Sequence, residues 1–270
     1  MEKEIIKRDH VVVKFAGDSG DGVQLTGTQL SDTSAFVGVD VSTFPDYPAE
    51  IRAPQGSVSG VSGFQLHFGK RVFTPGDKCD FLIALNPAAL KANIQLIKDG
   101  GTIIVDMDSF TNRFMDKAGL SEDELNSVKT IYNFVQSPIG SMVQEVLKDS
   151  DMDLKLILKT KNMFSLGMIF NIFSYPLDYT INFLNEKFKN KPKIAKANIK
   201  VLKAGYSHAH AIQLLPSYRV EPAELSEGLY RNISGNTATA WGLLAAAEKA
   251  GLDFFLGSYP ITPASEILEE

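Results

Sequence analysis

The feature that most constrains the fold of this chain is a regular alternation of short β-branched runs with stretches of helical periodicity. Residues 11–16 read Val-Val-Val-Lys-Phe-Ala and predict a strand. After the glycine-rich segment 17–22, apolar residues recur at helical spacing from Val23 to Val37. Further strands are predicted at 39–44, 58–68, 81–85 and 102–106. Alternating strands and helices favour a mostly parallel sheet covered by helices, so the predicted fold class is α/β.

The helices are predicted from their boundary residues. Asn86 and Pro87 are a typical N-cap and first helical residue, so a helix is predicted over 87–98, with Gly100 and Gly101 ending it. Beyond residue 106 the pattern becomes helical, with helices predicted from Pro138, over 162–175, and after Pro176 and Pro192. These later helices are expected to cover the sheet.

A segment with prolines, a glycine and little periodicity, residues 214–230, predicts a linker. It separates a first domain at 1–213 from the beginning of a second α/β domain at 231–270. In the second region, an alanine-rich helix is predicted at 237–250 and a strand at 254–257. Because roughly 40 residues cannot bury a stable core alone, we expect this second domain to be incomplete and the chain to be a fragment.

Charge and hydropathy exclude several classes of partner. The net charge of −5 argues against nucleic acid as a partner, since nucleic-acid binders usually carry a clustered basic face. No apolar stretch approaches the roughly 20 residues that span a bilayer, so no membrane association is expected. The N-terminus mixes acidic and basic residues and is followed by no apolar h-region, which predicts a cytoplasmic protein.

The cysteine and histidine content limits metal chemistry. The single cysteine, Cys79, cannot form an internal disulfide, and an iron–sulfur cluster needs about four thiolates. Any redox metal is therefore expected on another chain, and Cys79 is interpreted as a small half-buried residue before a strand. His208 and His210 alternate with alanines and would share one face of a strand, but surface positions without a metal are favoured. His10 and His67 have no visible partner.

The glycine-rich segment 17–22 lies between a strand and a helix, where backbone N–H groups favour anions. Its spacing is G-x-x-G-x-G, and neither the dinucleotide fingerprint nor a P-loop lysine is present. Asp18 and Asp21 would repel a phosphate. A phosphate site and a tight turn for close strand–helix packing both remain open. Gly20-Asp21-Gly22 also matches part of a thiamine diphosphate motif, but the asparagine that completes it is missing, because residues 47–50 read Tyr-Pro-Ala-Glu.

Two other loops carry residues of chemical interest. Residues 44–56 are rich in proline and contain Glu50 and Arg52, which suits either a ligand site or a stiff surface loop with an ion pair. In 258–265, Thr262 fits an N-cap and Pro263 the first helical position. A helix N-terminus at the end of a strand suits a carboxylate ligand, although an N-cap alone is the blander alternative.

Four segments, taken in order, together resemble the alpha subunit of 2-oxoacid:ferredoxin oxidoreductases. They are residues 17–23, residues 44–56 with their continuation 60–65, residues 162–167, and residues 230–236 through 259–263. The chain resembles the form in which a gamma-type domain is fused ahead of a pyrimidine-binding alpha domain. Tyr-Pro-Ala-Glu-Ile-Arg-Ala-Pro at 47–54 is more similar to the 2-oxoglutarate branch than to the pyruvate branch. The resemblance implies a three-layer, Rossmann-like gamma domain followed by the start of a thiamine-enzyme pyrimidine-type domain.

The activity implied by this resemblance is the oxidative decarboxylation of 2-oxoglutarate to succinyl-CoA, with electrons passed to ferredoxin in anaerobic metabolism. Thiamine diphosphate, Mg²⁺ and a [4Fe-4S] cluster are then held by a separate beta subunit, and coenzyme A (CoA) joins in the full complex. No catalytic residue or metal ligand is expected in this chain, which should be inactive by itself. A non-catalytic assembly module, the pyruvate branch, and a free-standing nucleotide-binding enzyme are the alternatives.

The same resemblance implies roles for individual residues. Thr262, with Tyr259 and Pro263, corresponds to the segment that contacts the substrate carboxylate. The residues assigned to CoA are Gly17, Ser19, Gly20, Gly22 and Arg52. The sequence departs from the family pattern at Asp18, Ser19 and Asp21, which bears on phosphate contact, and at Ala264, where many relatives have serine.

Overall fold

The computed structural model describes residues 5–48, 53–212, 217–261 and 263–270. The chain divides into two compact units, Met1–Glu224 and Leu225–Glu270. The division falls within the segment 214–230, and that segment is not irregular throughout, because Ser217–Val220 forms a strand. The family identities assigned to 1–213 and 231–270 stay predictions.

The first unit contains eight strands and nine α-helices among its described residues, with strands and helices interspersed up to β7 and the helices α5 to α9 following in succession. The strands are β1 Ile5–Arg8, β2 His10–Asp18, β3 Asp40–Asp46, β4 Val61–Gly69, β5 Cys79–Ala84, β6 Ile97–Asp106, β7 Asn133–Ser137 and β8 Ser217–Val220. The helices are α1 Val23–Phe36, α2 Pro87–Asn93, α3 Asn112–Ala118, α4 Glu122–Ile131, α5 Ile139–Val146, α6 Leu154–Leu158, α7 Lys161–Phe173, α8 Asp178–Lys187 and α9 Pro192–Ala211. The second unit contains α10 Gly235–Ala250 and α11 Glu266–Glu269. No helix among the described residues is long and apolar enough to cross a membrane.

Six strands form one sheet in the order β3-β4-β2-β5-β6-β7. The four strands β2, β5, β6 and β7 pair with their neighbours in parallel. Strand β4 is antiparallel to both β2 and β3. The predicted α/β class with a mostly parallel sheet is therefore confirmed. Because β2, β5, β6 and β7 run in the same direction, their carboxyl ends, including Asp18 and Asp106, lie along one edge. A separate parallel pair joins β1 to β8.

The sheet is the middle of three layers, as the alternation within β2 shows. Val11, Val13 and Phe15 belong to a core formed with residues of α1, α5, α7, α8 and α9. Val12 and Ala16 point to the opposite face and pack with residues of α2, α3 and α4. Successive side chains of a strand point to opposite faces, so a strand buried on both sides is apolar throughout. The largely apolar run at 11–16 is explained by this double burial.

The boundary signals at Asn86 and Pro87 are confirmed, because the Asn86 side chain accepts a hydrogen bond from the backbone N–H of Ala89 at 2.8 Å. The predicted extent of the helix, 87–98, is wrong. Helix α2 ends at Asn93, and Gly100 and Gly101 lie inside β6 rather than ending a helix. Between Ile97 and Thr102 the pairing of β6 with β5 is irregular, and Gly100, with a left-handed φ of 69°, lies in this stretch. The pairing of β6 with β5 before and after it shows that the two glycines interrupt a strand and do not end a helix. The edge strand β7 was not predicted, because its five residues carry a weak pattern.

In the second unit, α10 begins beyond Ser234, whose Oγ accepts a hydrogen bond from the backbone N–H of Thr237 at 3.0 Å. Gly251 ends it with a left-handed φ of 65°. The strand predicted at 254–257 is wrong, since residues 252–261 form no strand. An extended segment needs a neighbouring strand to satisfy its backbone groups, and none pairs with it among the described residues.

His10 and His67 contact each other across the pair β2 and β4, although the sequence showed no partner for either. His67 Nδ1 lies 2.6 Å from the carbonyl oxygen of Thr74, so this nitrogen donates. Its Nε2 lies 3.0 Å from His10 Nδ1 and accepts when His67 is neutral. Burial is the largest cause that lowers the pKa of His67, and His10 and Lys98 add to it, whereas the hydrogen bond to Thr74 and the Asp80 carboxylate oppose it without reversing it. The fold therefore favours the neutral imidazole.

We expect the free energy of unfolding to fall as the pH drops from about 7.5 to about 5.5. The unfolded state takes up a proton near the ordinary histidine pKa of 6.5, whereas folded His67 resists protonation. His208, whose pKa burial also lowers, contributes in the same sense. Urea titrations at several pH values should show a flatter pH dependence for His67→Gln than for the control His210→Gln. Equal slopes for these two variants would contradict the assignment to His67.

Candidate functional site

The candidate site is a cavity at the edge formed by the carboxyl ends of β2 and its parallel neighbours. Its volume is about 440 Å³. Open α/β sheets bind ligands at this edge, where the chain turns from strand to helix. A second cavity, of about 550 Å³, lies at the amino end of β2, and two ion pairs occupy much of its charged lining, Lys98 with Asp80 at 2.8 Å and Lys7 with Glu221 at 3.5 Å. The first cavity therefore better suits an external ligand.

Three segments, distant in sequence, line this cavity. They are the β2–α1 turn with Asp18, Ser19, Gly20 and Asp21, the loop after β3 with Pro48, Ala53, Pro54, Gln55 and Gly60, and the region around α6 with Lys155, Leu158, Lys159 and Lys161. A smaller cavity of about 50 Å³ shares several of these residues and reaches toward Asn86, Ser109 and Phe114.

The glycine-rich turn combines exposed and packed positions. Ser19 and Gly20 are exposed at the cavity, and a Cβ on Gly20 would meet nothing within 4 Å. Gly22, the N-cap of α1, has a φ of 73°, and a Cβ there would lie 2.5 Å from Asn162 Nδ2. A Cβ on Gly17 would lie 2.9 Å from Asp21 Oδ2. Close packing thus accounts for Gly17 and Gly22, whereas Ser19 and Gly20 face the space that a ligand would fill.

The proline-rich loop forms one wall of the cavity and is fastened to the strand end. The backbone N–H of Gly56 donates to both carboxylate oxygens of Asp18, at 3.2 and 3.1 Å. Lys117 Nζ donates to the carbonyl oxygen of Gln55. The carboxylate of Asp18 is therefore engaged in holding the loop, which makes it less of an obstacle to a phosphate than its sequence position suggested.

Three lysines give the lining of the cavity its positive charge. Lys155 and Lys159 are exposed and form no ion pair within the part of the chain that the structure describes. Lys161 is held in place, with its Nζ donating to Asp106 Oδ2 at 2.9 Å and to Ser109 Oγ at 3.3 Å. Asp106, fully buried at the end of β6, also accepts from the backbone N–H of Gly140 at 3.1 Å.

Asp21 is the second carboxylate of the cavity. Its Oδ2 accepts a hydrogen bond from the backbone N–H of Asp18 at 2.9 Å. Burial raises the pKa of the Asp21 carboxyl, and the nearby Lys161 ammonium opposes this effect. Among the described residues, the cavity is thus lined by two ammonium groups without an ion pair, Lys155 and Lys159, and by Lys161, which is paired with Asp106, beside the hydrogen-bonded carboxylates of Asp18 and Asp21. Such a cavity suits a phosphorylated ligand that also carries neutral polar groups.

Several predicted site residues lie elsewhere or outside the described residues. Arg52, Thr262 and the predicted Glu50–Arg52 ion pair fall outside them. Tyr259 and Pro263 belong to the second unit. The Tyr259 side chain is exposed, and the Pro263 carbonyl accepts a hydrogen bond from Asn236 Nδ2 at 3.0 Å. The helix expected to begin at Pro263 begins at Glu266 instead. Substrate contact by Thr262, Tyr259 and Pro263 therefore stays a prediction.

The three lysines and Asp106 were not identified as site residues in the sequence analysis. Lys155, Lys159 and Lys161 precede the 162–167 segment at spacings of four and two residues, which is the signal that would have identified them. Asp106 is a carboxylate at the carboxyl end of a predicted strand, a position where open α/β sheets commonly bind ligands. Only the fold shows that the three lysines line the same cavity as a glycine-rich turn more than a hundred residues earlier.

The cysteine and the two histidines of α9 singled out in the sequence do not belong to this site. Cys79 is fully buried, and burial raises the pKa of its thiol to about 12, so it is a poor nucleophile and not the half-buried residue expected. His208 and His210 lie on α9 and not on a strand, so alternation does not place them on one face. His208 Nε2 lies 3.1 Å from the buried Ser137 Oγ, which ties α9 to the end of β7.

The residues of this chain suit some of the cofactors implied by the resemblance better than others. No group of three histidine, cysteine, aspartate or glutamate side chains among the described residues is arranged to hold a metal. A single, buried cysteine also does not suit an iron–sulfur cluster, which needs about four thiolates. The phosphates of CoA, by contrast, match the ammonium groups of Lys155, Lys159 and Lys161.

The sequence and fold both resemble characterised proteins. The chain is 43% identical over 268 residues to the 2-oxoglutarate oxidoreductase subunit KorA of Mycobacterium tuberculosis (strain ATCC 25618 / H37Rv), covering 97% of this chain and 41% of that relative. The chain thus spans about two fifths of the length of this curated relative.

Solved structures show the same fold. The 2-oxoglutarate:ferredoxin oxidoreductase from Magnetococcus marinus, described with 2-oxoglutarate, coenzyme A and succinyl-CoA bound, superposes with a TM-score of 0.72 at 24% identity, covering 97% of this chain and 41% of that one. The gamma subunit of a keto/oxoacid ferredoxin oxidoreductase from Geobacter sulfurreducens PCA superposes with a TM-score of 0.50 at 19% identity, covering 74% of this chain and 99% of that one. Residues 12–208 match the profile of the family described as pyruvate ferredoxin/flavodoxin oxidoreductase, and the chain belongs to this family.

Proposed function

We propose that the chain is part of the alpha subunit of a 2-oxoglutarate:ferredoxin oxidoreductase. The proposed overall reaction consumes 2-oxoglutarate and CoA, releases carbon dioxide and succinyl-CoA, and passes electrons to ferredoxin. The proposal is supported by the name of the KorA relative and by the ligands named for the Magnetococcus marinus enzyme. A cytoplasmic location and a role in anaerobic metabolism belong to the same proposal.

Within this enzyme, the first unit is proposed to bind CoA through its phosphates. The observation that carries this assignment is the 440 Å³ cavity that Lys155, Lys159 and Lys161 line together with Ser19 and Gly20. Ammonium–phosphate contacts are charge-assisted hydrogen bonds, roughly twice as strong as neutral ones. Lys161 needs little reorganisation to contribute, because Asp106 and Ser109 already hold its Nζ.

The remaining chemistry is assigned to other parts of the assembly. Thiamine diphosphate supplies the carbanion stabilisation that 2-oxoacid decarboxylation requires, and it is proposed to lie with Mg²⁺ and the [4Fe-4S] cluster on a beta subunit. Thr262, with Tyr259 and Pro263, is proposed to contact the oxoacid carboxylate. Arg52 is proposed to join the CoA site from the proline-rich loop.

Replacing Lys155 and Lys159 together by alanine is expected to weaken CoA binding about tenfold, because two exposed ammonium groups are lost from the phosphate site. Isothermal titration of the 270-residue chain would measure this change. The difference from the unaltered chain should shrink at high salt, since exposed charges are screened. Lys196→Ala with Lys203→Ala, exposed on α9, is the control with the same change of charge.

Each alternative predicts a different result. A non-catalytic assembly module would bind no CoA, and a free-standing nucleotide-binding enzyme would bind ATP more tightly than CoA. Assignment to the pyruvate branch would show as faster turnover of pyruvate than of 2-oxoglutarate by the enzyme assembled with its beta subunit.

A further inference from the structure

We propose that Asp21 is a specificity-determining residue of the 440 Å³ cavity. The carboxylate of Asp21 favours phosphorylated ligands that also offer a hydroxyl or amide N–H donor, and it disfavours bare polyphosphates. This inference rests on the proposed function and deepens it. Lysines alone would attract any polyphosphate, whereas a carboxylate beside them accepts a hydrogen bond from a neutral donor. CoA carries phosphates, hydroxyls and amide N–H groups.

The position of Asp21 brings it to the same ligand as the lysines. Asp21 and Lys161 each line both the 440 Å³ cavity and the adjoining 50 Å³ cavity. Asp21 Oδ2 is engaged by the backbone N–H of Asp18 at 2.9 Å. Its Oδ1 accepts no hydrogen bond from the described residues, which leaves this oxygen for a ligand.

The negative charge of Asp21 is not needed for the turn itself. The single hydrogen bond from Asp18 would be accepted equally well by an amide oxygen. Burial, Asp18 and Asp106 all disfavour the charged form of Asp21, and only Lys161 and the Asp18 N–H favour it. A half-buried carboxylate with one hydrogen bond is therefore kept at a cost to stability, which points to a partner outside the protein.

The experiment compares CoA with inorganic pyrophosphate, which has no neutral donor, using the 270-residue chain and Asp21→Asn. The amide keeps the shape and the contact to Asp18 but removes the charge. Pyrophosphate binding is expected to tighten about tenfold in Asp21→Asn, and the preference for CoA over pyrophosphate is expected to fall by at least about tenfold. Asp149→Asn, on the exposed surface, is the matched control and should leave both affinities unchanged.

The outcomes separate this inference from the function on which it rests. An unchanged ratio of the two affinities in Asp21→Asn, with CoA still bound, would overturn the inference alone. Equal tightening of both ligands would overturn it as well, because a general charge effect would then suffice. A lack of CoA binding by the unaltered chain would refute the proposed function and the inference together. Asp21→Ser gives a second variant, which should lower the same preference if the asparagine variant folds poorly.

Discussion

Gly205→Ala is expected to destabilise the first unit by about 3 kcal/mol or more, because α7 and α9 pack through glycine. A Cβ on Gly205 would overlap the backbone carbonyl oxygen of Phe164, and a Cβ on Gly167 would overlap that of Leu202. Both obstructing atoms belong to helix backbones, so one helix must move away from the other. Urea denaturation of the chain would measure the loss.

Helix propensity alone predicts that Gly205→Ala raises the free energy of unfolding, since alanine in a helix interior is favoured over glycine by about 1 kcal/mol. Gly242→Ala on α10 is the matched control, because a Cβ there meets nothing within 4 Å. It should leave the unfolding of the first unit unchanged. Unchanged or increased stability of Gly205→Ala would show that α7 and α9 are not packed as closely as the structure has them.

Lys161→Met is expected to destabilise the first unit by about 3 kcal/mol at neutral pH, because it leaves the buried carboxylate of Asp106 without its ammonium partner. The hydrogen bonds from Ser109 Oγ and the Gly140 N–H remain and limit the loss. The same variant should weaken CoA binding, since Lys161 lines the cavity. Denaturant unfolding and CoA titration measure the two effects separately.

The double variant Lys161→Met with Asp106→Asn distinguishes an ion pair from loss of side-chain packing. Removing both charges leaves no uncompensated buried carboxylate, so the double variant should be more stable than Lys161→Met alone by about 2 kcal/mol. Its CoA affinity should stay low, because the ammonium is still missing. A double variant whose destabilisation equals the sum of the two single losses would show that the pair contributes nothing as a pair.

The elements whose signals are local were predictable from the sequence. The run at 11–16 predicted a strand because a strand buried on both faces carries apolar side chains at nearly every position. Lys14, which is also buried, is the exception and pairs with Asp46 at 3.5 Å. Asn86 and Pro87 predicted a helix start because the N-cap hydrogen bond lies within a few residues. Gly22 predicted a turn because its positive φ is a property of that residue's own backbone.

Other features depended on partners that no local pattern names. Gly100 and Gly101 are typical helix-ending residues in the sequence, but in the fold they lie inside β6, in the irregular stretch between Ile97 and Thr102, which pair with β5. The left-handed φ of 69° at Gly100 suits this irregularity. Residues 254–257 have a strand-like composition, yet without a paired neighbour they form no strand.

Some features of the candidate site were likewise predictable from the sequence, and others depended on the fold. The sequence alone determined that a glycine-rich turn connects a strand to a helix and that phosphate binding was an open possibility for it. The tertiary structure decided which charges face that turn. It brings Lys155, Lys159 and Lys161 into the lining of the same cavity as Ser19 and Gly20, and it engages Asp18 with the Gly56 N–H. Electrostatic interactions act through space and not along the chain, so their balance at a site is set only once the chain has folded.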